Sequence, residues 1–504
     1  MQISWKRWLF LAHRWLGIAM CLLFALWFFS GMVMMYVGYP KLTEAERLLH
    51  LPELQASPEL LSPQQALSKA GISTAVSDLR LSMASAGRAS YWVLAAGKPG
   101  KDHHHPSTAT VIDAYTGSVL PPAGQSQAMA AAAAFAPGIA ASYQGQVQQD
   151  AFTHSRGLDA HRPLHVVALD DAAQTRLYIS SQTGEVLRDA TATERGWNYV
   201  GAWLHWLYLL RGNWFDGIWA DVVNTLSIAG IALAISGTVV GVMRWRFSRP
   251  YRSGQRTPYP SRLMRWHHIV GLLFAAVTLT WIFSGLMSMN PWHIFDSKQR
   301  TVDMGKWPMG PMNLPADAAG PTQLLSAADP GVRELRWSRV LGQTQVTAVN
   351  ALGHKQVLNA DTAQALQHDI AALLAGAAQL SDAAVLSSQW LSDYDLYYYA
   401  RADHTMMGGA SKPLPVLRVI YGDAGQTWLH IDATTGQLLG QLNQRQRVKR
   451  WLFAMLHSWD WLPLLQRRPL WDGLLIALSL GGLLLSSTGV VIGWRRLRPR
   501  RSRH

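Results

Sequence analysis

The chain has 504 residues, of which 49% are apolar and only 15% are charged, a composition typical of a membrane protein. Its single cysteine, Cys21, excludes disulfide bonds within the chain, cysteine-based zinc and iron–sulfur sites, and the CxxCH attachment of c-type haem. The formal net charge of +14 is compatible with nucleic-acid binding. The positions of the charged residues must therefore show whether the charge indicates nucleic-acid binding or orientation in a membrane.

Four apolar stretches reach the roughly 20 helical residues that a bilayer core requires. They predict membrane-spanning helices within residues 1–36, 214–246, 264–290 and 469–495. The first stretch is longer than the apolar part of a signal peptide, and no A-x-A-like cleavage site follows it. We therefore expect the first span to be retained.

The basic residues are concentrated beside these stretches. Lys6, Arg7 and Arg14 lie at the start of the first span, residues 244–265 carry seven arginines and no acid, and residues 495–503 carry six more. This is the positive-inside pattern of a multi-pass membrane protein. A solvated patch that binds nucleic acid is the alternative, and the pattern disfavours it.

The charge pattern also sets the orientation. Both termini, the loop 247–263 and the basic tail 496–504 are predicted to be cytoplasmic. The two long connections, residues 37–195 and 291–446, then face outward, on the side that is periplasmic if the chain lies in a bacterial inner membrane, as the resemblance given below implies. The lipid bilayer is the first partner of the chain.

Short elements recur in the two periplasmic regions. Residues 62–71 predict a helix with serine at the N-cap, proline at the first position and glycine after the end. Residues 111–120, 177–187 and 428–439 each predict two strands joined by a turn that needs glycine, and residues 357–366 repeat the pattern with Ala363 in place of glycine. Each region is predicted to contain two small α+β units.

Aromatic segments precede the second and fourth spans. Residues 196–213 and 447–463 are rich in tryptophan, which predicts helices lying at the outer membrane surface. They carry His205 and His457. A straight helix would lift His205 roughly 25 Å above its span, so a break must fold it back towards the bundle.

The chain repeats itself around its histidines. A shift that places His267 on His13 also superposes the apolar run that follows each of them. A second shift places His457 on His205 and aligns the spans behind those two residues. The fold class predicted is an α-helical membrane bundle of four spans, built as two tandem repeats of two, with two periplasmic α+β regions.

Two histidine pairs at different depths are what two bis-histidine b-type haems need, because haem iron takes axial ligands on opposite faces of a flat macrocycle. Gly17 and Gly271 follow the inner histidines by four residues, on the same helix face, and leave room for a porphyrin. Arg14, with Arg7 and Arg265, is placed to pair with haem propionates.

Simpler interpretations stay open. A histidine near the end of a span also serves as an interfacial residue bonded to water or backbone, and small residues at this spacing also mark close helix packing. His268 neighbours His267 and is a second candidate for the ligand. The run 103–105 of histidines reads as a solvated loop, and further histidines face outward: His161, His165, His293, His404 and His430.

Several motifs resemble one known family, the PepSY-associated transmembrane-helix proteins, also called iron-regulated membrane proteins. They are Ala12-His-Arg-Trp-Leu-Gly17, Trp27-Phe-Phe-Ser-Gly31, His161-Arg-Pro-Leu-His165, Gly201-Ala-Trp-Leu-His-Trp-Leu-Tyr208, Arg265-Trp-His-His268 and Arg468-Pro-Leu-Trp-Asp472. The resemblance implies PepSY domains in the periplasmic regions. It also implies kinship with inner-membrane reductases that carry two b-haems and reduce ferric siderophores.

These observations lead to one main functional hypothesis and two alternatives. The main hypothesis is a di-haem conduit that takes electrons from a cytoplasmic or quinol donor and reduces a periplasmic ferric siderophore or other iron chelate for iron acquisition. The first alternative is a membrane-anchored PepSY binding or regulatory module without redox activity. The second is a transporter with inverted repeats, which the shared topology of the repeats and the apparently unbroken spans one and three disfavour.

Overall fold

The computed structural model of the chain describes residues 5–95, 109–211, 215–296, 302–401 and 412–498. These residues form a bundle of long helices and three antiparallel β-sheets. The helices are α1 (Trp5–Met34), α2 (Glu44–His50), α3 (Pro63–Lys69), α4 (Gln125–Phe135), α5 (Ala192–Val200), α6 (Ala202–His205), α7 (Trp219–Arg244), α8 (Arg262–Leu273), α9 (Ala275–Ser288), α10 (Pro321–Ala327), α11 (Ile370–Ala378), α12 (Gln444–Arg450), α13 (Leu462–Leu465) and α14 (Arg468–Leu497).

Within the described part of the chain, three helices are long and apolar enough to cross a membrane: α1, α7 with the turn before it, and α14. The pair α8 and α9 meets the same requirement only when taken together. The number of spans is therefore three, or four if this pair is one span.

The pair α8 and α9 is bent by 64° at Phe274, so the prediction of an unbroken third span is wrong. The bend does not leave the backbone without partners, since Thr278 N still donates to Phe274 O at 2.9 Å. The ring of Phe274 fills the space in front of Gly481, where a Cβ would lie 2.1 Å from it. Packing against a glycine of α14 therefore accompanies the bend.

Small residues let the helices of the bundle approach one another. Helix α1 packs against α7 and α14, and α8 and α9 pack against both of those helices. A Cβ at Gly482 of α14 would lie 2.2 Å from the ring of Phe28 on α1, so that contact requires glycine. Met20, Phe24, Phe28 and Leu233 form the buried centre between α1 and α7.

Three sheets lie outside the bundle. Their strands are β1 (Val76–Ser85), β2 (Arg88–Ala95), β3 (Thr110–Asp113), β4 (Ala141–Val147), β5 (Leu164–Leu169), β6 (Arg176–Ser180), β7 (Val186–Ala190), β8 (Val332–Val340), β9 (Gln343–Asn350), β10 (Lys355–Asn359), β11 (Val385–Leu391), β12 (Val416–Tyr421), β13 (Trp428–Asp432) and β14 (Leu438–Leu442). The strand orders are β10-β9-β8-β1-β2-β3, β4-β5-β6-β7 and β11-β12-β13-β14. The predicted helix 62–71 is confirmed as α3, which has Ser62 as its N-cap.

The six-stranded sheet joins the two predicted outward regions. Strands β1–β3 come from the first region and β8–β10 from the second, and β1 pairs with β8 antiparallel. Leu79 lies opposite Trp337 and Leu81 opposite Leu335, all four buried in one core. The two regions are thus not separate bodies.

A buried carboxylate lies beside this junction. Glu334 on β8 is fully buried and contacts three arginines: Arg47 at 2.9 Å, Arg80 at 3.7 Å, and Arg336. Burial alone would raise the pKa of Glu334, but the attraction of Arg80, Arg47 and Arg336 outweighs burial and holds the pKa below its usual value. Arg336 also pairs with Glu44 at 2.9 Å, which ties α2 to the sheet.

The predicted turns are confirmed, but after β3 and β10 the predicted second strand is reduced to a single bridge, Ile112 with Val119 and Leu358 with Ala365. Gly184 and Gly436, between β6 and β7 and between β13 and β14, have φ of 70° and 65°, which favours glycine. In the degraded copy after β10, Ala363 takes the same left-handed conformation with φ of 57°. The turn geometry therefore persists where the glycine has been lost.

Candidate cofactor sites

The break that His205 requires is present in the structure. Helix α5 ends at Gly201, α6 ends at His205, and Leu207 reverses the chain with a φ of 53°. The imidazole consequently lies against α1, where a Cβ on Gly31 would be 3.7 Å from its Cε1. Trp27 Nε1 donates a hydrogen bond of 3.0 Å to the carbonyl of His205 and fixes this position.

His457 is held in the matching way. Helix α12 continues into a π-helical turn, Trp451–Met455, and Trp459 reverses the chain with a φ of 48°. Single π-helical turns are often found at functional positions. A Cβ on Gly285 of α9 would lie 3.8 Å from His457 Cε1.

The four histidines meet in the predicted pairs. The ring centroids of His13 and His267 are 6.5 Å apart with an interplanar angle of 39°, and those of His205 and His457 are 6.1 Å apart at 71°. A bond from imidazole nitrogen to metal is about 2 Å, so two axial imidazoles on one iron have centroids about 6 Å apart. Both pairs therefore have the spacing that a shared iron requires.

Hydroxyl groups set the tautomer of the outer histidines. Ser30 donates its hydroxyl hydrogen to a backbone carbonyl at 3.1 Å, and in that orientation its oxygen accepts from Nδ1 of His205 at 2.9 Å. Ser284 does the same, with 2.9 Å to a carbonyl and 3.0 Å to Nδ1 of His457. The proton on Nδ1 puts the lone pair of each ring on Nε2, the form that binds a metal.

In the inner pair, as far as the structure describes it, only His267 has a hydroxyl group beside its Nδ1. Thr488 donates to Leu485 O at 2.7 Å and accepts from Nδ1 of His267 at 2.9 Å. The second sequence shift places Thr488 on Ser236, which donates to a carbonyl at 3.0 Å. Nδ1 of His13 has no hydrogen-bond partner among the described residues. Sequence reasoning missed these hydroxyls, although Ser30 and Ser284 lie in a repeated Phe-Ser-Gly motif.

A cavity of about 590 Å³ adjoins the inner pair. This volume lies in the range of about 300–1,000 Å³ that is typical of cofactor sites. His13, His267, Gly17 and Gly271 all line the cavity, as predicted from their positions. Arginines line it too, namely Arg14, Arg495 and Arg496, whereas the proposed propionate partners Arg7 and Arg265 are not among the lining residues.

Both ring nitrogens of His268 already have hydrogen-bond partners. It is buried, its Nδ1 lies 2.8 Å from Thr257 Oγ1, and its Nε2 lies 2.8 Å from Gly241 O. Both ring nitrogens are therefore used in tying the loop before α8 to α7. His267 is the better placed of the two for a ligand.

The outward histidines that the structure describes are not grouped around a common site. His161, His165 and His430 are hydrogen-bonded within the sheets' own units, and His293 is exposed beside Asp296. Residues 103–105 and 404 lie outside the described residues. Among those that are described, no group of three or more His, Cys, Asp or Glu side chains is arranged to hold a bare metal ion.

Long apolar helices that carry antiparallel α+β parts outside the bundle define a membrane protein with a large extramembrane portion. The chain belongs to the family described as the PepSY-associated TM region, which matches residues 10–496. The match confirms the family that the motifs suggested and extends over almost the whole chain. Among curated proteins, none matches this chain.

Proposed function

We propose that the chain is a duplicated four-span bundle that binds two b-type haems and passes electrons across the membrane to a ferric chelate. The observation that carries the proposal is the meeting of four histidines in two pairs at 6.5 and 6.1 Å, three of them with a hydroxyl on Nδ1. Interfacial histidines without a cofactor give no reason for this spacing at two levels.

Bound haem would supply the one-electron chemistry of its iron, and the protein would supply ligands, orientation and a dry environment. At the inner level, His13 and His267 would hold the haem iron, and Gly17 and Gly271 line the cavity beside them. The guanidinium groups of Arg14, Arg495 and Arg496 are placed to bind carboxylates at its rim.

Aromatic side chains fill the bundle between the two levels. On α1, Phe24, Trp27 and Phe28 follow His13 and precede Ser30, and Phe28 contacts Trp281 of α9 at 5.8 Å between ring centroids. This packing excludes water from the space between the pairs. In our proposal it separates the two cofactors by protein alone.

The positive-inside pattern supports an inner-membrane location with both termini in the cytoplasm. Electrons from a cytoplasmic or quinol donor then reach His13 and His267 first and leave near His205 and His457. One electron reduces Fe(III) of a periplasmic chelate such as a ferric siderophore to Fe(II), which oxygen ligands hold less firmly. In this arrangement residues 37–195 and 291–446 would form the periplasmic PepSY-like regions.

The visible spectrum of the purified full-length protein tests the proposal. We expect b-type bands that sharpen on dithionite reduction, and two haems per chain. A colourless preparation would instead establish the anchored binding module, in which the helices only hold the PepSY-like regions at the membrane.

The bend at Phe274 favours one other function. Broken spans are characteristic of transporters, so this feature removes one argument against transport. The other argument stays, because the two sequence repeats run in the same direction rather than inverted. Substrate uptake into vesicles, measured with the haem-free His13→Ala, His205→Ala double variant, separates transport from electron transfer.

A further inference from the structure

A second cavity lies beside the outer histidine level. It has a volume of about 280 Å³ and is lined by residues between β4 and β5 and by Arg211 and Asp216, which lie between α6 and α7. Its charged lining residues are His154, Arg156, Asp159, Arg162, Arg211 and Asp216. Three arginines therefore face two carboxylates, and the cavity carries a net positive charge.

The ion pairs among the lining residues do not neutralise the positive charge of the cavity. Arg162 pairs with Asp159 at 2.9 Å and donates to Thr153 O at 2.7 Å, so the role of this arginine is to hold the cavity wall together. Arg211 and Asp216 are 3.8 Å apart. Arg156 makes no ion pair within the described part of the chain, and its side chain is exposed at the cavity. A positive charge is thus left for a ligand.

His154 is the second sign of a ligand. It is only 6% exposed, yet its Nδ1 is buried without a hydrogen-bond partner among the described residues. Buried polar atoms are almost always paired, because leaving one unpaired costs free energy. This nitrogen is closed to solvent, so a ligand oxygen reaches it only when the imidazole turns towards the cavity.

The cavity is connected to the outer histidine pair. The ring of His154 meets Tyr208 edge-on at 4.9 Å, and Tyr208 follows His205 by three residues, across the chain reversal at Leu207. The guanidinium carbon of Arg211 lies 5.3 Å from the Tyr208 ring centroid and 4.8 Å from that of Trp219. A molecule bound here would therefore lie near His205.

The duplication of the chain does not by itself account for this cavity. Under the shift that places His457 on His205, and β12 on β5, the position of Arg162 is occupied by Leu414 and that of Arg211 by Pro463. In the second half, the cations beside the equivalent tryptophan, Trp471, are instead Arg401 and Arg468, and Arg401 is paired with Asp460 at 3.0 Å. The placement of Arg162 and Arg211 around a cavity is therefore specific to the first half.

We infer that this cavity binds a small anion through negatively charged oxygen atoms, of the kind that carboxylate-bearing iron chelates offer. The evidence for anion binding is the cavity itself. The further step, in which the bound chelate accepts an electron, rests on the proposed function. Arg156 and Arg211 supply the charge, and His154 supplies a hydrogen-bonding nitrogen.

Isothermal titration of the full-length protein with citrate, and then with Fe(III)–citrate, tests the inference. We expect saturable binding that weakens about tenfold or more in Arg156→Gln and Arg211→Gln, because each loses a charge-assisted contact. Arg211→Lys should retain part of the affinity. Arg176→Gln, an exposed arginine on β6 outside the cavity, is the matched control and should bind as the wild type does. Unchanged affinity in Arg156→Gln and Arg211→Gln, or no saturable binding by the wild type, would overturn the inference.

Two further arms identify the source of the anion and separate this inference from the proposed function. In nanodiscs, weaker citrate binding with phosphatidylglycerol than with phosphatidylcholine, lost in Arg211→Gln, would identify a lipid phosphate as the bound anion. Equal binding in both lipids would identify a soluble anion. If the wild-type protein purifies without haem and these variant effects persist, electron transfer is overturned and the cavity is kept as an anion site.

Discussion

Gly237 of α7 provides the sharpest test of the inner cofactor site. A Cβ at this position would lie 2.7 Å from Cε1 and 3.0 Å from Nδ1 of His13. Carbon atoms at rest are about 3.5–4.0 Å apart, so in Gly237→Ala the imidazole would have to retreat by about 1 Å. Metal–ligand distances in a working site vary by only about 0.2 Å. We therefore expect His13 to lose its place as an axial ligand.

The expected result is a change at one level only. In Gly237→Ala the haem content should fall from two to one per chain, or the inner haem should become five-coordinate, while the spectrum of the outer haem is unchanged. Overpacking also costs about 1–3 kcal/mol of stability. Gly473→Ala on α14 is the matched control, because no atom lies within 4 Å of its added Cβ. Two low-spin haems in Gly237→Ala, identical to those of the wild type, would refute the assignment of His13.

Three further predictions follow from the same contacts. His13→Ala should remove the inner haem and leave the outer one, and His205→Ala should do the reverse; loss of both haems, or of neither, in the pyridine haemochrome assay contradicts the pairing. Ser284→Ala removes the nearer partner of Nδ1 on His457 and leaves the longer contact to Trp281 O at 3.3 Å. Losses of this kind typically weaken metal binding about 10- to 100-fold, measurable by haem transfer to apomyoglobin. An outer haem as tightly held as in the wild type would show that the hydroxyl has no such role. Glu334→Gln leaves three arginines without their carboxylate and should cost about 3–5 kcal/mol of folding stability. Because the folded pKa of Glu334 is depressed, its contribution is complete above the unfolded value of about 4.3 and is lost as the pH falls through the folded pKa. Thermal midpoints recorded from pH 7 to pH 3 should therefore converge for Glu334→Gln and wild type, and parallel curves would contradict the argument.

The pairing of the histidines could be predicted from sequence because the chain is duplicated. His13 and His267 occupy equivalent positions, as do His205 and His457, and equivalent positions in related halves meet about the same axis. The need for a break before the second span followed from length alone, and the left-handed Leu207 provides it.

Other features depend on contacts that no local pattern encodes. The bend at Phe274 has no proline or glycine within residues 272–276, and it coincides with Gly481 on a helix far along the chain. Likewise, β1 and β8 each read as ordinary strands, and nothing in either reveals the other as its partner. The hydroxyls on Nδ1 could have been found, since Ser30 recurs as Ser284, but their chemistry emerges only once the histidines are placed beside them.

The ladder between β1 and β8 also limits how the molecule can move. Rocking one half of the bundle against the other, as alternating-access carriers do, would shear the backbone hydrogen bonds between Leu79–Ser82 and Glu334–Trp337. This pairing therefore opposes an alternating-access motion. If the chain carries two haems as proposed, the same restraint would favour electron transfer, because the rate of tunnelling depends steeply on the separation of the two centres.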